Sequence, residues 1–279
     1  MSDHPSYEIF IADPVPQDVI ELVPNGDERM FSPLSITLVS GDRDAVLVDP
    51  PMTIAQTAAV GDWVESTGKN LTHIFVTHGH GDHWFGSAEL AKRFGAEVVN
   101  TARTIEHMHA NLAVREFFWD ALFPGQIPAT EVVATEVSNN AIELEGHTLK
   151  VIEVGHTDTD DTSVLHAPSL DLVVAGDVIY NGVHQFLREA QGDGINAWLR
   201  AIDTVASLHP RLIVAGHKNK VLDDDARRTI RETREYLTTA AAVLAERTTA
   251  LDFFNAMLQR FPTRLNPGAL WGGATALYA

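Results

Sequence analysis

The chain has 279 residues, 45% hydrophobic and 21% charged, a composition that can bury a core and argues against intrinsic disorder. Its 38 acidic and 20 basic residues give a formal charge of −18, which repels phosphate backbones and disfavours a nucleic-acid partner. It has no cysteine, so disulfides and thiolate sites are excluded and any metal must be held by imidazole and carboxylate, which suits zinc, iron or manganese.

The N-terminal stretch lacks a basic flank followed by a long apolar run, so it does not read as a secretory signal. No stretch approaches the roughly 18 apolar residues that suggest a membrane span. A soluble, cytoplasmic protein without a membrane partner is the expectation. Residues 35–40 and 45–48 are β-rich runs on either side of Gly41-Asp42-Arg43-Asp44, a hairpin signal, and Asp49-Pro50-Pro51 stops the second. Residues 53–68 have a helical pattern that ends at Gly68 in a C-cap position. A short apolar strand over 74–77 runs into the segment THGHGDHWFG, and a helix over 87–94 is closed by Gly95. A strand follows at 98–100, then a helix over 103–122 that carries Phe117, Phe118 and Trp119. Residues 130–154 alternate in the manner of strands, with a turn at Glu145-Gly146. Further strands are predicted at 163–166, 172–175 and 212–215, with a helix over 195–208 between the last two. A long helix runs from Asp223 to Arg247 and another covers 250–261, while the tail from Asn266 reads as turn-rich and apolar. Two groups of strands with helices interspersed in both suit two sheets packed face to face, with the helices outside.

The strongest chemical signal is His78-Gly79-His80-Gly81-Asp82-His83, three imidazoles and a carboxylate within six residues, on a loop after an apolar strand. Neutral imidazole is a good zinc ligand, and the glycines let such a loop fold so that its side chains converge. His156, Asp177 and His217 also end apolar runs, each immediately after a glycine. One buried histidine after a strand is usually structural, but four such groups at four strand ends point to a shared metal site.

In this order of ligands the sequence resembles the metallo-β-lactamase superfamily, whose pattern is HxHxDH, then His, Asp and His. The resemblance covers roughly residues 32–220. It implies an α/β fold, a four-layer αβ/βα sandwich of two mixed sheets, formed by residues 1–222, with 223–279 as a helical extension packed on the same domain. It also implies two metal ions, with zinc first in line and iron or manganese as alternatives. His78, His80 and His156 would hold the first, Asp82, His83 and His217 the second, and Asp177 would bridge them. Asp49 matches an acidic residue that orients a ligand loop. The implied activity is hydrolysis of an ester, lactone, thioester or related acyl bond of a small molecule by a hydroxide shared between the metals, with Asp82 orienting it. Tyr180, three residues after Asp177, matches a tyrosine that reaches the substrate carbonyl in lactonases of the superfamily.

Departures from the pattern narrow this reading. After His156 the run Thr157-Asp158-Thr159-Asp160-Asp161 replaces the family's Pro-Gly-Ser, and Asp158 and Asp160 read as a solvated acidic turn, with Asp161 left open. Zinc β-lactamases carry Cys or Ser where Asp177 stands, so β-lactam hydrolysis is at most a weak activity. Iron-dependent redox chemistry, of the persulfide dioxygenase or flavodiiron kind, is the alternative on the same scaffold. Trp84 and Phe85 are expected to wall the pocket or pack beneath it. His107 and His109, two apart on a helix, face different ways and read as surface residues. His184 is open between a site role and the surface. Phe253, Phe254, Met257, Leu258 and Phe261 form an apolar stripe that reads as core, and Trp271 is a pocket or partner contact. Covering the site mouth, setting substrate size and forming a homodimer interface are the roles open to the C-terminal segment.

Overall fold

The structure, a computed structural model, describes residues 5–279. Its first sheet has six strands in sequential order: β1 (Ser6–Ala12), β2 (Leu34–Ser40), β3 (Asp44–Val48), β4 (Asn70–Phe75), β5 (Glu97–Asn100) and β6 (Thr135–Glu136). The first three pair antiparallel and the last four pair parallel. The second sheet contains β7 (Ala141–Leu144), β8 (His147–Gly155), β9 (Thr162–Ala167), β10 (Leu172–Val174) and β11 (Leu212–Val214). Its order is β11-β10-β9-β8-β7, with only β10 and β11 parallel.

Period-two alternation on the central strands assigns every apolar side chain to one of two faces. On β2 and β3, Ile36, Leu38, Ala45 and Leu47 pack outward under α1 (Ile54–Ser66), α2 (Ser87–Phe94) and α3 (Ala102–Val114). Val39, Val46 and Val48 point the other way and meet Leu149, Val151, Leu165 and Val174 of the second sheet. Val164, Val173 and Ile213 then form the outer face of that sheet, covered by α5 (Gly194–Ser207), α6 (Ala226–Glu246), α7 (Ala250–Arg260) and α8 (Pro267–Leu277). Three apolar clusters thus separate four layers, the αβ/βα sandwich of two mixed sheets. No helix among the described residues is long and apolar enough to cross a membrane.

Three segments differ from the sequence reading. Of the strand-like run expected over 130–154, only Thr135–Glu136 is a strand before Ala141, followed by a 3-10 turn over Ser138–Asn140. The helix expected over 103–122 stops at Val114 and resumes as α4 (Trp119–Leu122), across a turn in which the Phe117 and Phe118 N–H groups both donate to the Val114 carbonyl and the i to i−4 ladder is interrupted. The tail is helical: Asn266 caps α8 by accepting from the Ala269 N–H, and Pro267 occupies the first turn, where its missing N–H costs nothing. Gly273 has a packing reason, since a Cβ there would stand 2.9 Å from the Leu187 nitrogen.

The C-terminal helices share one apolar cluster with the second sheet, so Tyr236, Phe253, Phe254, Met257 and Leu270 bury alongside Val173 and Trp198. They also fix the 178–190 loop. Leu265 accepts from the His184 N–H at 2.9 Å and donates to the Gly182 carbonyl at 2.9 Å. Arg264 stacks over the Tyr236 ring at 4.8 Å and donates to the Val183 carbonyl. His184 is fully buried against this knot, not on the surface, with Nδ1 3.0 Å from the Tyr236 hydroxyl. Burial, and then the Arg264 charge, push its pKa down from 6.5 to about 3. The folded state therefore keeps His184 neutral where the unfolded chain protonates it. Stability from this group is complete above pH 6.5 and is lost as the pH falls toward 3. The loss is at most about 1.4 kcal/mol per pH unit. His184→Gln, which keeps a polar partner for Tyr236, should flatten the fall in urea midpoint between pH 6.5 and 5 relative to the wild type; equal slopes would show that His184 does not contribute to it.

Candidate metal centre

The chain leaves four strands at the same end of the sandwich and places acidic and imidazole side chains there. Asp49 follows β3 directly, at φ +57°. Its two carboxylate oxygens accept from the backbone N–H and the hydroxyl of Thr77, each at 2.8 Å, which pins the first residues beyond β4. Ser163 of β9 donates its N–H to the Thr77 carbonyl at 2.8 Å, tying the two sheets together at this point. The chain then turns through a 3-10 segment, Gly81–His83. Asp177 and His217 follow β10 and β11, whose loops touch through the Gly216 N–H and the Gly176 carbonyl at 2.8 Å. A Cβ at Gly216 would collide with the Asp177 carboxylate and stand 3.0 Å from the His83 ring, so the site itself fills the space a side chain needs.

Four histidines each present one nitrogen to a common centre and engage the other elsewhere. Nδ1 of His78 is 3.0 Å from the Thr77 hydroxyl, and Nδ1 of His83 faces Asp49 at 3.0 Å. Nδ1 of His217 lies 2.9 Å from the Pro33 carbonyl, and Nε2 of His80 lies 3.1 Å from Glu189. The hydrogen-bonded outer partners of His78, His80 and His217 fix the tautomer and leave the opposite nitrogen for a ligand, while His83 Nδ1 makes only the ion-pair approach to Asp49. Those inward atoms are close to carboxylates. His83 Nε2 is 3.2 Å from Asp82 and 3.3 Å from Asp177, and His217 Nε2 is 3.5 Å from Asp82 and 3.2 Å from Asp177. Among the described residues, three overlapping groups have metal-ligand spacing: His78, His80 and Asp158; His78, His83 and Asp177; and Asp82, His83 and His217. The inward nitrogens of His78 and His83 and one oxygen each of Asp158 and Asp177 are buried without a hydrogen-bond partner. Buried acceptors in that state are costly unless something positive sits among them, so this donor set fits divalent cations.

The electrostatics agree. Burial pulls the imidazoles of His80, His83 and His217 down, but the carboxylates around them prevail and raise all three, His217 to about 10. Burial pushes Asp82 and Asp177 up, yet their histidine neighbours hold both well below the usual carboxylate range. In His78, burial and the His83 charge win and the pKa is lowered. The cluster is anionic carboxylate balanced by whatever positive charge it can gather, proton or cation.

The sequence-predicted residues are distributed as follows. His78, His80, Asp82, His83, Asp177 and His217 come together. His156 stands apart from every group with ligand spacing, its Nδ1 2.6 Å from Asp160. Asp158, expected in a solvated turn, is fully buried beside His80, because the hydrogen-bonded turn after β8 rotates it inward. Asp160 is exposed as expected, and Asp161 takes Arg103 and His107. His107 is therefore half-buried, while His109 is exposed. Tyr180 is buried, and its hydroxyl donates to the Asp177 carboxylate at the floor of the site. Burial and then Asp177 raise the phenol's pKa well above its ordinary value, which keeps it a donor. Trp84 and Phe85 pack beneath the site, with Trp84 donating to the Gly79 carbonyl. Trp271 packs on Phe254 at 5.7 Å between ring centres, away from the site. Glu189 was missed by sequence reading; nothing marks it, since it lies 109 residues from His80 on an irregular loop.

A cavity of about 600 Å³ opens over the cluster, with His80, Asp82, Asp158, Asp177, Tyr180 and His217 at its floor. Its walls are largely apolar, built from Phe31, Phe118, Trp119, Leu122 and Phe186 with Gly268, Ala269 and Gly272 of α8. A second cavity of similar volume near Arg211 and Arg227 contains none of these donors.

A profile of the metallo-beta-lactamase superfamily matches residues 30–217. The chain is 32% identical over 121 residues to a hydroxyacylglutathione hydrolase of Acidiphilium cryptum, covering 43% of this chain and 40% of that one. It is 36% identical over 56 residues to a UPF0173 metal-dependent hydrolase of Mesorhizobium japonicum, covering 20% and 23%. Both relatives are thus matched over less than half of their length. Among solved structures, a metallo-beta-lactamase family protein from Thermus thermophilus superposes with a TM-score of 0.64 at 20% identity, covering 96% of this chain and 91% of that one. A metallo-beta-lactamase from Pontibacter korlensis gives 0.60 at 16% identity, over 85% and 96%. At such identities the structural likeness establishes the fold alone.

Two substitutions test how the site is built. Gly216→Ala forces the β10 and β11 loops apart and should cost about 1–3 kcal/mol of stability while weakening metal uptake. Asp49→Ala leaves the buried Thr77 N–H unpaired and should cost about 1–3 kcal/mol, read as a lowered urea midpoint.

Proposed function

The chain belongs to the metallo-β-lactamase superfamily, and we propose that it is a dinuclear zinc hydrolase that cleaves an ester, lactone, thioester or related acyl bond in a small molecule with an apolar acyl part. The observation that carries this reading is the cluster of inward-facing imidazole nitrogens and carboxylate oxygens at the floor of an apolar cavity. The name of the Acidiphilium relative, a hydroxyacylglutathione hydrolase, supports an acyl substrate.

His78 and His80 would hold one cation, Asp82, His83 and His217 another, with Asp177 between them. Bound there, divalent cations supply Lewis acidity, making hydroxide available from water near neutral pH and drawing charge from an acyl oxygen. The chain's own residues do the remaining work. Asp82 lies on the cavity floor, 3.2 Å from His83 and 3.5 Å from His217, where its carboxylate can orient a nucleophile. Tyr180, donating to Asp177, fixes the rotamer of that carboxylate. Phe31, Phe118 and Phe186 exclude water and bind the apolar part of the substrate.

Metal analysis together with a substrate panel tests the proposal. About two zinc ions per chain, with chelator-sensitive turnover of acyl substrates and little of phosphoesters or a chromogenic β-lactam, is the expected result. Iron with oxygen consumption and no hydrolysis would sink it. Within the acyl series, kcat/KM should rise about threefold to fourfold per added methylene until the cavity is filled, from about 0.8 kcal/mol for each buried CH2. Tyr180→Phe should lower kcat roughly tenfold with KM little changed, the loss expected for one hydrogen bond to a charged group.

A further inference from the structure

Resting on the metal reading above, we propose that Asp158, and not His156, completes the cation position formed with His78 and His80. Asp158 is fully buried, and its Oδ2 has no hydrogen-bond partner while lying 2.9 Å from His80 Nδ1 and 3.7 Å from His78 Nε2. The other carboxylate oxygen is already anchored, since Oδ1 accepts from the Thr157 hydroxyl at 3.0 Å. That hydroxyl in turn is 2.8 Å from the hydroxyl of Thr162. The opposite nitrogens of His78 and His80 are engaged by Thr77 and Glu189, so the two atoms that face Asp158 are the ones available to a cation.

The turn that follows β8 explains why neighbours two residues apart exchange places. The Thr157 N–H donates to the Thr159 carbonyl at 2.8 Å, closing the chain tightly around Asp158. This aims Asp158 at the cluster and turns His156 toward α5. Nδ1 of His156 pairs with Asp160. Its Nε2 is also buried without a partner, but it lies against α5, 3.0 Å from where a Cβ at Gly194 would stand. The residue lines no part of the cavity over the cluster. Glu189 bridges the two arrangements, with one oxygen toward His80 and the other accepting from the Thr159 hydroxyl at 2.8 Å. Two imidazoles and a carboxylate make this position harder and more anionic than three imidazoles would.

The test uses the full chain freed of metal and titrated with Co(II), followed by calorimetry and visible absorption, with circular dichroism confirming that each variant is folded. The wild type should bind two Co(II) ions. Asp158→Asn should weaken one of them at least tenfold. His156→Gln should keep both within about threefold, with an unchanged spectrum. Asp158→His should retain two ions but alter the visible bands, because nitrogen replaces oxygen in the coordination shell. Loss of an ion in His156→Gln overturns the assignment, whether or not Asp158→Asn also loses one. Should Asp158→Asn fail to fold, His156→Gln decides alone: both ions retained supports the assignment, one lost overturns it. A wild type that takes up no Co(II) overturns the metal reading and this assignment together.

Discussion

Nearly everything in this molecule answers to one electrostatic constraint: several carboxylates and imidazoles are buried together at the common end of the two sheets. Asp82, Asp158 and Asp177 lie there beside His78, His80, His83 and His217, all buried except the slightly exposed His80. Carboxylates in such a place are unfavourable unless positive charge or hydrogen-bond donors compensate them. The chain provides donors at the margin, through Thr77 to Asp49, Thr157 to Asp158 and Tyr180 to Asp177, and leaves the central atoms facing one another. An arrangement that fixes its outer contacts and leaves its inner ones open suits a cation.

Holding that arrangement requires the loops to approach more closely than side chains permit. Gly216 meets Asp177 and His83, and Gly176 meets the side chain of Thr77 at a positive φ of 49°. The apolar interior between the sheets then keeps the strand ends in register, since Val48, Phe75, Val174 and Val214 sit in one cluster just beneath the ligand loops. Rigid strands ending together are what turn scattered histidines into a site.

The C-terminal helices extend the same logic to the cavity. Arg264 and Leu265 grip the 178–190 loop, which carries Tyr180, Phe186 and Glu189. Gly268, Ala269 and Gly272 of α8 then line the cavity wall. The segment is therefore structural for the second sheet and also shapes the space in which a substrate would lie.

What was legible in the sequence was whatever depends on short-range pattern. Short apolar runs on β2, β3, β9 and β10 mark strands with two buried faces, and the cluster from His78 to His83 marks its own chemistry, because those residues are adjacent in the chain. Caps and glycines placed α1 and the turn at Gly95 in the same local way. Tertiary structure decided the rest. It made a helix of the apolar tail, which has weak helical propensity but a cap at Asn266 and a surface on Leu187 to bury against. It also buried His184, brought Glu189 to His80, and chose Asp158 over His156 for the interior. Residue type and spacing announce that a metal-binding chemistry exists, because ligands must be imidazole or carboxylate at strand ends. Which of two residues in one turn faces inward depends on backbone hydrogen bonds and on the room left by distant elements, and neither is written in local sequence.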